Sequence, residues 1–343
     1  MRWWKETATA CAYVGTVVGA GFASGQELVQ FFLILGPRAL SAALLATGLF
    51  STAGFVLRSL ACRWETSSYK ELARIILGPT ERLADGVLTA FLFSSVVVML
   101  AGAGAVTREH LGFSAWWGSG LAAGLTMLAV VARSRGVLYL NIILVPGLVV
   151  CLAGIAAYNF HLGPLQPVPI RSPLLISHWV LNSFLYVTYN MIQPAVLFAT
   201  LPPQQGGKRG ALVGGMVVGA LLLLLVGALG GLPPEDLERA VPVLALVERL
   251  PSVWKTVYVW NLWVAMVTTA VTGTYALVER LLAARHFCPA GACAVVIGPA
   301  LPLSGLGFGR LVGCTYPLFG YLVLFILAGS GLRACLEKLK RCS

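Results

Sequence analysis

Ten long apolar stretches follow one another along this chain, joined by short polar segments, at about 7–35, 39–62, 86–107, 115–133, 136–159, 175–201, 209–231, 253–282, 288–305 and 309–334. A helix needs about 20 apolar residues to cross a bilayer. Inside hydrocarbon every backbone N–H and C=O must be satisfied within the chain, which leaves helices as the natural solution here. The expected fold is therefore an all-α polytopic membrane protein of about ten transmembrane helices, here called spans 1 to 10. Composition agrees: 11% of the 343 residues are charged and 58% are hydrophobic, against about 25% charged in soluble domains. The formal net charge of +11 would suggest nucleic acid in a soluble chain. Here it reads as basic cytoplasmic loops, with the lipid bilayer as partner and no nucleic acid. The N-terminus runs straight into a full-length span, without the pattern of a signal peptide.

Loop charge sets the expected orientation. With the N-terminus in the cytoplasm, most of the 24 Lys and Arg fall inside, among them Arg58, Arg63, Lys70, Arg74, Arg133, Arg135, Lys208, Arg280, Arg285 and Lys338. Arg38, Arg108, Arg171, Arg239, Lys255 and Arg310 are among the fewer outside. An even number of spans returns the C-terminus to the cytoplasm. The expected location is the bacterial inner (cytoplasmic) membrane. Enzyme motifs for metal hydrolysis, nucleotide or dinucleotide binding are absent. The four histidines (His110, His161, His178, His286) lie near span ends, and the eight cysteines, among them Cys335 and Cys342, form no CxxC pair and read as small apolar fillers. No enzyme activity is expected.

The order of elements repeats. Span 2 is followed by an amphipathic segment from Ser67 to Leu77 and then span 3; span 7 is followed by another from Pro234 to Leu250 and then span 8. These lie roughly 170 positions apart, the first expected inside and the second outside. Five spans repeated in opposite orientation, 1–165 and 166–343, make an inverted repeat, a signature of secondary transporters.

Span 1 carries the run GTVVGAGFASGQE at 15–27. Each glycine costs a helix about 1 kcal/mol relative to alanine, and four of them weaken the span near mid-bilayer. A discontinuous helix exposes backbone groups that only a cavity or a ligand satisfies. Close helix packing through small residues is the competing explanation. If the repeat holds, span 6 must also be broken. There Thr188, Tyr189, Asn190 and Gln193 cluster at mid-span just before Pro194, which removes a backbone donor. Polar residues at that depth usually face a pathway. A proline kink with locally satisfied side chains is the alternative.

The span 1 run, the paired interruptions and the five-plus-five layout resemble the amino acid–polyamine–cation superfamily with the LeuT-type fold. The GTVVGAGFASGQE letters are similar to YkvI-like bacterial membrane proteins. The resemblance implies a solute site beside the breaks in spans 1 and 6, walled by spans 3 and 8. It implies that Val18, Gly19, Ala20, Gly21 and Phe22 face Tyr186, Thr188, Tyr189 and Asn190, with Ser94 and Ser95 of span 3 as further contributors. It also implies a sodium ion held by the carbonyls of Gly15, Val18 and Ala265 and the hydroxyls of Thr268 and Thr269. Neutral hard oxygens suit that ion; back-bonding of the two hydroxyls to the preceding turn is the ordinary alternative. Span 5 lacks the lysine that replaces sodium in some relatives.

The expected function is a cation-coupled secondary transporter of a small polar solute, an amino acid or related amine. Helix ends at the breaks offer amides to a carboxylate, and aromatic rings suit an amine. Glu27 is the one acid deep inside a span. It is expected either to pair with Lys255 or Arg310, or to bind an amine, or to carry a proton in place of sodium. A ligand-sensing receptor of the same fold is the alternative function, which counterflow exchange distinguishes.

Overall fold

The computed structural model describes residues 2–66, 68–132, 136–160, 174–175, 178–202, 207–284 and 288–342, with the backbone alone at residue 2, 136–143, 145 and 331–342. Ser67, Arg133, Arg135, His161, Arg171, Arg285 and His286, and the boundary near residue 165, lie outside the described residues, and the side chains of Cys335, Lys338 and Cys342 lie outside the described side chains.

Span 1 is three helices: α1 (Arg2–Val17), α2 (Ala20–Ser24) and α3 (Gln26–Phe31). A 3₁₀ turn (Leu33–Arg38) containing Pro37 leads into α4 (Ala39–Arg63). The short α5 (Tyr69–Leu77) starts at Ser68, whose hydroxyl accepts the Glu71 amide (3.3 Å). Then come α6 (Glu81–Leu111), α7 (Ala115–Val131) and α8 (Gly136–Tyr158). Span 6 is divided into α9 (Trp179–Asn190) and α10 (Ile192–Thr200), followed by α11 (Lys208–Leu229). Two short helices, α12 (Pro234–Leu237) and α13 (Pro242–Val247), precede α14 (Ser252–Ala284), α15 (Pro289–Ser304) and α16 (Phe308–Cys342). The described residues contain no strand.

By length and composition five helical stretches suffice to cross a membrane: Leu33–Arg63, Tyr69–Leu111, Lys208–Leu229, Ser252–Ala284 and Phe308–Ser330. Three apolar helices are shorter, Ala115–Val131, Pro146–Tyr158 and Pro289–Ser304, and the pieces of spans 1 and 6 are short because those spans are interrupted.

Packing sorts the helices into two groups. In the first, α4 lies along α11, and α1 and α9 pack onto the pair. In the second, α6 lies along α14, with α7 and α15 against them. The close seams are built on small residues. A Cβ at Gly215 would come within 2.5 Å of the Ser51 backbone, and one at Gly104 within 2.6 Å of the Ala115 carbonyl. Arg280 Nη1 ties α14 to α6 through Asp85 (2.9 Å) and Thr89 (2.7 Å). α8 and α16 bridge the groups.

The two amphipathic segments differ. α5 buries only Leu72 and Ala73. The expected single segment from Pro234 to Leu250 is two helices, because Pro242 cannot continue one and instead starts the next. All six residues of α13 are buried, and it packs on α2.

Candidate functional site

The opening in span 1 is a stretch of backbone. In an unbroken helix the Gly19 amide would bond the Gly15 carbonyl. Here it turns to Val17 O (2.9 Å), and Gly19 is extended (φ −91°, ψ −175°). The next regular bond is Ala23 N to Gly19 O (2.9 Å), so the Val18 carbonyl also receives no amide at this turn. Gly15 and Val18 are the two span 1 carbonyls that the resemblance assigned to a cation. A Cβ built on Gly19 meets nothing within 4 Å, so there is open space beside the turn.

A second irregularity lies in the C-terminal part of the span. Gly25 has φ +84°, a left-handed conformation that favours glycine, and Val243 of α13 sits 2.9 Å from where its Cβ would be. Ser24 Oγ stitches the bend by donating to Gly21 O (2.7 Å) and accepting the Gln26 amide (3.2 Å). Beyond it α3 is buried throughout. Gln26 Nε2 donates to Arg239 O (2.5 Å), and Tyr258 Oη of α14 donates to Ala23 O (2.8 Å). Arg239 itself pairs with Asp236 (2.8 Å) and Glu248 (2.7 Å), and Lys255 pairs with Glu248 (3.1 Å). Burial works to raise the Glu248 carboxyl, but hydrogen bonds from Arg239 and Lys255 hold it below the usual range.

Glu27 lies under this cover, 4% exposed. The expected pairing with Lys255 or Arg310 does not form: Lys255 is engaged by Glu248, and Arg310 is exposed. The Tyr189 hydroxyl instead donates to Glu27 Oε2 (2.6 Å). The other carboxyl oxygen occupies the place where a Cβ on Gly21 would stand, with the Tyr316 hydroxyl 3.3 Å from that point. Tyr189 stacks on Tyr316 (4.8 Å between centroids) and meets Tyr186 edge-on (5.6 Å). The buried Tyr186 hydroxyl also faces the Glu27 carboxyl. Tyr316, on α16, was not foreseen. Its only trace in the sequence is a tyrosine next to Pro317 inside a span.

Span 6 is divided at a single residue, and the Asn190 carbonyl has no helical amide because its partner would be Pro194. Met191 alone separates α9 from α10, with near-helical dihedrals (φ −78°, ψ −5°) and its amide bonded to Val187 O (2.9 Å). Asn190 Nδ2 donates to Tyr186 O (3.0 Å). Thr188 departs from the expected site: its hydroxyl donates to Leu185 O (3.0 Å) and to Gly320 O of α16 (3.2 Å). It borders an apolar groove of about 510 Å³ between α4, α5, α6, α9, α10 and α16.

The expected span 8 ligands are back-bonded. Thr268 Oγ1 (3.1 Å) and Thr269 Oγ1 (2.8 Å) both donate to Ala265 O. A hydroxyl that donates keeps lone pairs for a cation, so this bonding does not remove them as ligands. α14 packs on α2, whereas α1 packs chiefly on α11 and α10. Gly15 and the threonines therefore stand on elements that are not laid along each other in this conformation. Ser95 is buried in α6, against which α2 also packs, and Ser94 is partly exposed. The described residues hold no cluster of His, Cys, Asp and Glu suited to a metal ion.

No protein-family model matches the chain. Its sequence is similar to two Bacillus subtilis proteins described as uncharacterised: the membrane protein YkvI, 29% identical over 326 residues (92% of each chain), and YyaD, 25% identical over 336 residues (95% of this chain and 96% of that one). Its fold is similar to Mhp1 in an inward-facing conformation, with TM-score 0.66 and 12% identity over 93% of this chain and 73% of that one. It is also similar to MhsT in complex with L-phenylalanine, with TM-score 0.59 and 16% identity over 92% and 87%. An opened first span, helices packed in two groups and these likenesses converge: the chain is a polytopic helical membrane protein with the LeuT-type fold.

Proposed function

We propose that this chain is a cation-coupled secondary transporter of a small polar solute, an amino acid or related amine, working by alternating access. The observation that carries the reading is the opened turn of span 1, where the Gly15 and Val18 carbonyls lack their helical partners and open space adjoins Gly19. Unpaired backbone at membrane depth is sustained by what it binds. The solute site is built from Val18, Gly19, Ala20, Gly21 and Phe22 with Tyr186, Tyr189 and Asn190, and Glu27 closes its outer side. Thr188, whose hydroxyl donates to α16 but keeps its lone pairs, stands at the edge of this set. MhsT, one structural neighbour, is known with L-phenylalanine bound, and an aromatic-lined site here suits an amine-bearing solute.

The architecture proposed is ten spans in two inverted halves, 1–165 and 166–343, in the bacterial cytoplasmic membrane with both termini inside. Supporting it, the longest seams join span 2 to span 7 (α4 with α11) and span 3 to span 8 (α6 with α14), partners of like number in the two halves.

Sodium is the proposed coupling ion, held by carbonyls of Gly15, Val18 and Ala265 and hydroxyls of Thr268 and Thr269. The set assembles when α1 swings onto α14, so the ion favours one access state over the other by its differential affinity. The test is uptake of labelled amino acids into proteoliposomes against sodium concentration. Thr268→Ala and Thr269→Ala are each expected to raise the sodium needed for half-maximal uptake at least about tenfold, a loss of about 1.4 kcal/mol of ion binding. Sodium-independent uptake by the wild type, or unchanged dependence in both variants, overturns the ion assignment.

A further inference from the structure

We infer that Glu27 is a proton-carrying group of the transport cycle, loaded with a proton when the outer half of span 1 is closed as in this structure. The inference rests on the transporter reading above and adds a second coupled cation to it. Three observations carry it.

The first is the absence of any compensating charge among the described residues. Glu27 is 4% exposed, and α3 packs against α2, α9, α11, α16 and the 3₁₀ turn. The groups that face the carboxyl are tyrosines: Tyr186 and Tyr189 from α9 and Tyr316 from α16. Its own helix adds Gln26 and Gln30, which point to the Arg239 and Gly309 carbonyls (2.5 and 3.5 Å). α2 offers glycine at the contact, and α11 is apolar along its buried face. The 3₁₀ turn brings Arg38 and α16 brings Arg310, both exposed, while Arg239 and Lys255 are held by Asp236 and Glu248. An ionised carboxylate is not sustained at membrane depth without a partner charge.

The second is the asymmetry of the two carboxyl oxygens. Oε2 accepts the Tyr189 proton (2.6 Å). Oε1 rests on Gly21, where a Cβ has no room, and is the oxygen left to hold the inferred proton. The bound proton leaves to water as Glu27–COOH + H2O → Glu27–COO⁻ + H3O⁺, once α3 separates from α9 and α16 and water reaches the carboxyl.

The third is what the carboxyl joins. Its hydrogen bond links the outer half of span 1 to span 6, and its tyrosine neighbours extend the link to span 10. Loss of the proton places a charge at this junction and drives α3 away from the aromatic cluster. Protonation thereby selects the outwardly closed state, as a ligand does that binds one of two conformations.

The test is pH-difference infrared spectroscopy on the reconstituted wild-type protein, beside Glu27→Gln and Tyr189→Phe. The wild type is expected to show the C=O stretch of a protonated carboxylic acid that fades as pH rises, and Glu27→Gln to lack it. Tyr189→Phe, which keeps the ring and removes one hydrogen bond, is expected to keep the band at a higher frequency. No such band in the wild type, or the same band in Glu27→Gln, overturns the inference. A transport arm separates this from the parent reading. With labelled amino acids as the probe, a pH gradient, acidic outside, is expected to raise wild-type accumulation severalfold and to leave Glu27→Gln unresponsive. An equal response in both variants also overturns it. Absence of any amino acid movement by the wild type overturns the parent reading instead, and the infrared result still decides the proton site.

Discussion

In span 1 the interruption is a stretch of backbone; in span 6 it is a single bend beneath side chains. Around Gly19 two carbonyls lose their amides and space opens beside the chain. At Met191 the amide still bonds one turn back, the Asn190 carbonyl loses its amide to Pro194, and the polar side chains nearby bond on α9 or on α16. Glycine opens span 1 because it costs a helix little to leave and admits extended or left-handed backbone. Proline bends span 6 because it removes one donor yet holds φ in the helical range. In the proposed site the two spans would divide the work: span 1 main-chain groups, and span 6 Tyr186 and Tyr189 as a wall.

The sharpest way to break this contrast is to fill the opened side. A leucine at Gly21 collides with the Glu27 carboxyl and with Tyr316. Gly21→Leu is expected to abolish solute binding while costing about 1–3 kcal/mol of stability, the usual price of overpacking. Retained binding by a protein that elutes as wild type does on gel filtration would mean the opening is only a packing seam. Span 6 is expected to respond far less. Pro194→Ala restores one amide to a helix whose dihedrals at the kink are already near-helical, so thermal unfolding in detergent should register a change of at most about 1 kcal/mol. A loss comparable to that of Gly21→Leu would put the critical break in span 6.

The smallest expected effect lies in the outer cover. Glu248 is held below the ordinary carboxylate range by Arg239 and Lys255, against the pull of burial. A depressed folded-state value gives stability that is present above the ordinary range near pH 4 and is lost as pH falls through the lower folded value. All three side chains are about one-third exposed, so screening keeps the contribution to roughly 0–1 kcal/mol. Glu248→Gln should therefore increase protease cleavage in the loop of α12 and α13 slightly at neutral pH and not at all in acid. A large increase at both would make the loop, rather than the buried α3, the main outer barrier.

Much of span 1 was legible because its letters depart from what a membrane helix uses. Four glycines and one deep acid mark an irregular, polar place whatever surrounds it. Partners were not legible. Sequence gives the depth of Glu27 but not the direction in which α3 turns it, so Lys255 and Arg310 looked as available as Tyr189. Tyr316 carried no signal, since an apolar helix reads alike whether an aromatic faces lipid or a neighbour. In span 6 the division was legible, but the partners of its polar side chains were not. Thr188 and Asn190 are polar, but their short or amide side chains reach nearby carbonyls. The segment after span 7 read as one amphipathic helix because its apolar period runs through Pro242, where the structure begins a new one.

The central claim is that the opened turn of span 1 lines a binding site for solute and sodium. Gly19 is the place to ask, because a side chain there meets nothing within 4 Å. With the eight native cysteines replaced by serine, Gly19→Cys should react with a charged, membrane-impermeant thiol reagent applied from one side of the membrane. Sodium together with a mixture of amino acids should slow that reaction several-fold, while potassium in place of sodium should not. No reaction from either side, or a rate that sodium and amino acids leave untouched, would contradict the account.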